Sequence, residues 1–251
     1  MNASSAGIDV GFDAGLESCM AEALTIDFDS PVPLFPLANC VLLPHAVVPL
    51  HIFEPRYRAM TREALDEAGL VAMAVFAGDG WKQDYTGNPA IREHVCVGYL
   101  VRHEKLPGGR FNVLMQGICR AKVVRELEHE PYRLAMLEPT EVEAPMEIDL
   151  SEHRTRIESM LNEPALKSLA SVHAMHRWLS EDLPTSAMID LAALTLSQMV
   201  DERYAMLAEP DADRRALWLE QYLRKLRELV EQADRLGSGK MEGERYTVYL
   251  N

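Results

Sequence analysis

Pro49-Leu50-His51-Ile52-Phe53-Glu54-Pro55-Arg56-Tyr57-Arg58-Ala59-Met60 is the stretch that decides how the rest of this chain is read. An extended apolar segment runs straight into a helix. Pro55 stands at the opening of that helix, where a missing N–H costs nothing because it would have no intrahelical partner. Tyr57, Met60, Ala64 and Leu65 continue the helix, and Gly69 is the expected C′ residue. Glu54 and Arg56 flank the junction. A carboxylate beside a helix N-terminus is favoured by the dipole and by the free N–H groups. The spacing therefore predicts that Glu54 caps the helix and pairs with Arg56 or Arg120, a direct ligand role being the alternative.

Upstream, residues 31–50 are apolar and broken by Pro31, Pro33, Pro36, Pro44 and Pro49. Proline removes a ladder donor and disfavours helix in the residue before it, so short strands joined by extended turns are expected there. Downstream, 70–76, 95–101, 111–115, 118–124 and 132–137 read as strands. Leu106-Pro107-Gly108-Gly109-Arg110 is the turn of an antiparallel pair, and Gly117 is expected to interrupt a strand. From about residue 147 the period becomes helical, with helices predicted over 151–161, 165–179, 186–200 and 213–236. In the last of these, Leu219, Leu223, Leu226, Val230 and Ala233 form one apolar stripe. The chain thus divides into an arm (1–30), a β-rich module (31–137), a helical bundle (138–237) and a tail (238–251). Leu16, Met20 and Leu24 could share one face of a short helix in the arm, and 246–250 reads as a stray strand.

The 251 residues carry a net charge of −14, but not evenly. Residues 1–55 hold no lysine or arginine and seven acids; 56–137 hold twelve bases and ten acids; 138–251 hold thirteen bases and twenty-two acids. Acidic surfaces repel nucleic acid and anionic lipid, so that argument applies to the bundle and only weakly to the β-module. Arg56 is the first cation, so no basic leader is expected at the start of this sequence. No apolar run approaches the roughly 20 residues of a membrane span. Cys19, Cys40, Cys96 and Cys119 are scattered and form no C-x-x-C pair, as expected of reduced, mostly buried thiols in a cytoplasmic protein.

Catalytic signatures are missing where they would be expected. Gly237-Ser238-Gly239-Lys240 lacks the first glycine and the following Ser or Thr of a phosphate loop, and follows a helix rather than a strand. His173 and His176 share a predicted helix without further ligands at metal-binding spacing. No G-x-S-x-G elbow seats a serine nucleophile. The expectation is no catalytic residue, no metal and no cofactor.

Phe35-Pro36-Leu37, Val41-Leu42-Leu43-Pro44 and 49–57, followed by Val97-Gly98-Tyr99-Leu100-Val101, Gly109-Arg110-Phe111-Asn112-Val113, Gln116-Gly117-Ile118-Cys119-Arg120 and Tyr132-Arg133-Leu134-Ala135, resemble the N-terminal substrate-binding domain of Lon proteases. The resemblance spans about residues 31–236. It implies an α+β fold: a PUA-like β-barrel module followed by an α-helical bundle ending in a long helix. It also implies binding of unfolded or exposed polypeptide segments, in company with a protease or chaperone system, by a module without the ATPase and Ser-Lys protease parts. What remains is similar to standalone proteins of this kind in bacteria. Phe35, Leu37, Leu43, Ile52, Phe53 and Tyr57 are the peptide-binding candidates, with Glu54, Arg56 and Arg120 as structural residues of the junction. Proline-broken strands leave edges for an added peptide, and Met160, Met175, Met188, Met199 and Met206 could give adaptable apolar surface. Self-association is a further expectation. RNA binding is the alternative, because PUA-like barrels elsewhere bind RNA, but interleaved acids and few aromatics argue against it. A small-molecule pocket is the other alternative; the spacing of Trp81, Trp178 and Trp218 suggests no aromatic cage.

Overall fold

The computed structural model describes residues 26–85, 87–140, 146–179 and 183–238. The arm helix and the strand at 246–250 expected from the sequence lie outside the described residues. Six strands are present among them: β1 (Val32–Leu37), β2 (Val47–Ile52), β3 (Leu70–Val75), β4 (His94–Leu106), β5 (Arg110–Leu127) and β6 (Arg133–Pro139). β1 and β3 are parallel, and the other pairs antiparallel. β6 pairs with β1 on one side and β5 on the other. The ring β1-β3-β4-β5-β6 therefore closes into a barrel, and β2 extends it along the first part of β5. Register shifts in β4 and β5 mark bulges, which supply the bending that closure needs.

Strand alternation separates two apolar layers. Val32, Leu34, Ala72, Ala74, Val95, Val97, Ala121, Ala135 and Leu137 form one cluster; four of these nine are alanines, which suits a narrow barrel interior. Val71, Met73 and Val75 point the other way into a second cluster, so both faces of β3 are buried and its sequence is apolar throughout. Helix α1 (Pro55–Asp66) packs on this second layer through Tyr57, Met60 and Ala64. Gly69 sits one position later than the expected C′, at φ 71°, with its N–H donating to the Ala64 carbonyl at 2.7 Å.

β5 is a single strand where the sequence suggested an interruption at Gly117. The glycine instead admits a neighbouring loop. Its N–H donates to Ala46 and its carbonyl accepts from His45, both at 2.8 Å, and a Cβ there would lie 2.1 Å from the Leu43 carbonyl oxygen. This contact also explains why Val41, Leu42 and Leu43 are fully buried without forming a strand: their loop is pinned to β5 between the stretch that pairs with β2 and the stretch that pairs with β6.

The helical half comprises α2 (Glu147–Leu161), α3 (Pro164–Lys167), α4 (Ala170–Leu179), α5 (Thr185–Leu196), α6 (Val200–Ala208) and α7 (Ala212–Ser238). The single helix expected over 165–179 is two, because the Ser168 hydroxyl donates to the Ala165 carbonyl and the chain turns there. The helix expected to reach Val200 stops at Leu196, where Ser197 is extended and its carbonyl accepts from Arg203 Nε at 2.8 Å. The second apolar cluster runs without a break from Met73 and Met115 of the barrel to Ile157, Ile189 and Leu223 of the helices. Met160, Met175, Met188 and Met206 are buried in it, whereas Met199 is exposed. In α7 the stripe is buried only through Leu223. Leu226 and Val230 are half-buried and Ala233 exposed, because the helix continues past the bundle.

Glu220 of α7 is buried and clasps α2, accepting from Arg156 Nε at 2.9 Å and Arg224 Nη2 at 3.1 Å, with His153 Nδ1 at 2.7 Å. Burial alone would raise its pKa, but the bonds from Arg156 and His153 outweigh it and hold the carboxyl below its ordinary range. A lowered folded-state value stabilises the protein above the unfolded carboxylate pKa of about 4.3, and that stability is lost as pH falls through the folded value. Urea titrations from pH 6 down to 3 should show this loss, and Glu220→Gln should flatten that part of the slope. Gly117→Ala should destabilise by about 1–3 kcal/mol, since a Cβ meets backbone rather than a movable side chain; denaturant midpoints at neutral pH check it.

Candidate functional site

The junction between β2 and α1 is built differently from a simple cap. Glu54 occupies the N-cap position in an extended conformation, but its side chain makes no capping bond. Its carboxylate accepts from Arg56 Nε at 3.2 Å and from the Tyr85 hydroxyl at 2.9 Å. Arg56 Nη2 donates to the Tyr85 carbonyl at 3.1 Å, and the guanidinium stacks over the rings of Tyr57 and Tyr85. Arg56 is therefore the partner of Glu54. Both are about one fifth exposed, so the pair is screened only in part. Burial pushes the Tyr57 and Tyr85 hydroxyls above their ordinary pKa, and the protonated Tyr85 donates to Glu54. The junction thus fixes the loop that carries Tyr85, and Tyr85 in turn packs against Phe76 and Trp81.

Arg120 lies elsewhere. It is 1% exposed, and its Nη2 donates to Asp190 of α5 at 2.6 Å. Arg215 of α7 reaches the same carboxylate oxygen, Nε to Oδ1 at 3.4 Å. Arg120 also bonds the Met206 carbonyl, while Arg215 Nη1 bonds the carbonyls of Glu209 and Pro210. These acceptors gather at the C-terminal end of α6, where the helix dipole is negative, so one carboxylate and a helix end balance two guanidiniums. The expected pairing of Arg120 with Glu54 is replaced by this cluster because β5 carries Arg120 toward the helical half.

The six apolar candidates separate by the alternation of β2 and its neighbours. Phe35, Leu43, Ile52 and Tyr57 are buried in the second apolar cluster, and Leu37 is partly buried against it. Burial places Phe35, Leu43 and Ile52 in the core, while Tyr57, its ring also packed there, lines a cavity at the start of α1. Phe53 is 60% exposed and Val47 52%. Val47, Pro49 and His51 make up the exposed face of β2, while Val48, Leu50 and Ile52 face inward. The His51 and Phe53 rings stack. Beside them, a groove of about 720 Å3 is lined by Pro49 and His51 of β2, Arg102 and Glu104 of β4, and Asn112 and Leu114 of β5. Its floor is ordered by polar contacts: His51 Nδ1 lies 2.7 Å from Asn112 Oδ1, and Asn112 Nδ2 donates to Glu104 at 3.2 Å. Among the described residues β2 pairs with β5 alone, so its outer edge is an unpaired strand edge.

Comparison with known proteins agrees with this architecture. The family model of the ATP-dependent protease La (LON) substrate-binding domain matches residues 31–225. The chain belongs to this family. A Lon protease of Dictyoglomus thermophilum is 24% identical over 220 residues, covering 84% of this chain and 26% of the relative. Lon protease 1 of Myxococcus xanthus is 33% identical over 95 residues, 37% of this chain and 12% of the relative. The chain thus spans about a quarter of the length of this Lon protease of Dictyoglomus thermophilum. The solved Lon N-terminal domain protein of Xanthomonas campestris superposes with a TM-score of 0.51 at 21% identity, covering 78% of this chain and 98% of that one. The N-terminal domain of the Mycobacterium avium complex Lon protease gives 0.53 at 18% identity, with the same coverage. These likenesses establish the α+β fold of a LON substrate-binding domain.

Sequence reasoning missed Asp190, Arg215, Tyr85 and Asn112. Asp190 had a visible signal, a single charge within the apolar run Ile189-Asp190-Leu191-Ala192-Ala193. Removing one member of a buried ionic group leaves the others uncompensated. Asp190→Ala should therefore cost about 3–5 kcal/mol in urea unfolding.

Proposed function

We propose that this protein is a non-catalytic polypeptide-binding module that engages unfolded or exposed chain segments at the outer edge of β2. The observation that carries this reading is that edge itself, an unpaired strand flanked by Val47, Phe53 and the groove beside Pro49 and His51. An extended guest can add to such an edge through main-chain hydrogen bonds and place alternate side chains in a neighbouring groove. The Phe53 ring, held against His51, supplies an apolar anchor. Membership of the LON substrate-binding family supports a polypeptide as the occupant. Work alongside a protease or chaperone system belongs to the same proposal. So does a cytoplasmic setting, supported by Cys40 and Cys96 as free thiols. No helix among the described residues is long and apolar enough to cross a membrane.

The test is fluorescence anisotropy with labelled, reduced and carboxymethylated lactalbumin as the unfolded client. Phe53→Ser should weaken binding about tenfold, equivalent to about 1.4 kcal/mol, while the melting temperature stays within a degree or two because the ring is exposed. A client peptide with alternate backbone amides methylated should bind more weakly than its parent. Equal binding by Phe53→Ser and wild type, or no binding of unfolded client at all, would remove the proposal.

A further inference from the structure

A second cavity, of about 380 Å3, lies between the start of α1 and the approach to β6. It shares no lining residue with the groove on β2. Arg56, Tyr57, His129, Tyr132 and Arg133 wall it, and the exposed Glu130 stands at its rim. Two of the walls are fixed: the Tyr132 hydroxyl donates to Glu63, and His129 Nδ1 lies 2.9 Å from the Tyr132 carbonyl.

The remaining donors are under-used. A guanidinium carries five N–H groups. Arg56 directs Nε to Glu54 and Nη2 to the Tyr85 carbonyl, leaving Nη1 without an acceptor among the described residues. Arg133 commits one bond from each nitrogen, to Glu126 and to the Pro89 carbonyl at 2.7 Å, leaving one N–H on each Nη. Beside them the Tyr57 hydroxyl is buried with no hydrogen-bond partner among the described residues, in a residue only 4% exposed. An unmade bond at a buried hydroxyl costs its full desolvation, and a ligand oxygen would supply the missing partner. The charges of Arg56 and Arg133 both act on that hydroxyl. Glu54 and Glu126 each offset one guanidinium, and Glu130 adds a further negative charge at the mouth. These groups leave the cavity without net positive charge, so anion binding there rests on the unspent guanidinium N–H groups and the Tyr57 hydroxyl, and a phosphate dianion would be repelled more strongly than a singly charged anion.

The geometry points to a carboxylate-binding pocket, in which Arg56 and Arg133 donate to the ligand oxygens and Tyr57 turns its hydroxyl to complete the set. The carboxylate can come from the C-terminus of a polypeptide or from a small free acid. The first source rests on the polypeptide-binding reading, and the pocket itself does not.

Calorimetric titration of the full chain with acetyl-Ala-Leu-Ala as the free acid, the same peptide as its carboxamide, and propionate tests this. The free acid should bind at least tenfold more tightly than the carboxamide. Tyr57→Phe should reduce acid affinity severalfold while the melting temperature holds or rises, because the unpartnered hydroxyl is gone; a purely structural tyrosine would leave affinity unmoved. Propionate matching the peptide supports the pocket and overturns the chain-end source. Equal affinity for acid and carboxamide, or unchanged affinity in Tyr57→Phe, overturns the pocket. A protein that separates acid from carboxamide yet binds no unfolded lactalbumin overturns the edge-binding proposal alone.

Discussion

The fold depends on the shared Asp190 carboxylate, to which β5 contributes Arg120 and α7 contributes Arg215. All three side chains are out of water, and each would be costly to bury alone. The arrangement is acceptable only when strand, α5, α7 and the end of α6 are simultaneously in place. It therefore selects one docking of helices on barrel among the many that apolar contact would tolerate. The continuous apolar cluster supplies the bulk of the favourable free energy, and the ionic cluster supplies direction.

A second constraint operates along β5. One edge of this long strand serves two partners in succession, β2 over its first part and β6 over its last, and Gly117 lets the buried 41–46 loop fill the space between them. Because β6 closes the barrel and β2 lies outside it, this change of partner is what leaves β2 with an unpaired edge. At the end of β2 the chain enters α1, where Arg56 binds Glu54 and stacks on two tyrosines. The groove and the carboxylate pocket thus flank one rigid strand-to-helix junction, with no residue in common.

Much of this was legible in the sequence, for physical reasons that differ by element. Pro55 and the Tyr57, Met60, Ala64 spacing specify α1 locally, and the run at 70–76 has the texture of a strand buried on both faces. Helix breaks at Ser168 and Ser197 were missed because each follows from a hydroxyl or carbonyl finding a partner, which periodicity does not register. Gly117 was read as a break because glycine weakens strands, whereas its use here is to admit another backbone. In the site, the apolar candidates followed the family motif, and a motif does not distinguish Ile52, which faces the core, from Phe53, which faces solvent. Arg120 drew attention, but its partner is 70 residues away on a helix whose position only the packed structure supplies.

A strand edge open to guests is equally open to copies of itself, and unguarded edges are where sheets grow into fibrils. β2 is six residues long and has Pro49 within it, a residue with no N–H to offer any neighbour. The ladder that could assemble there is short and lacks a donor near its middle. Such an edge is a poor template for regular, self-propagating stacking.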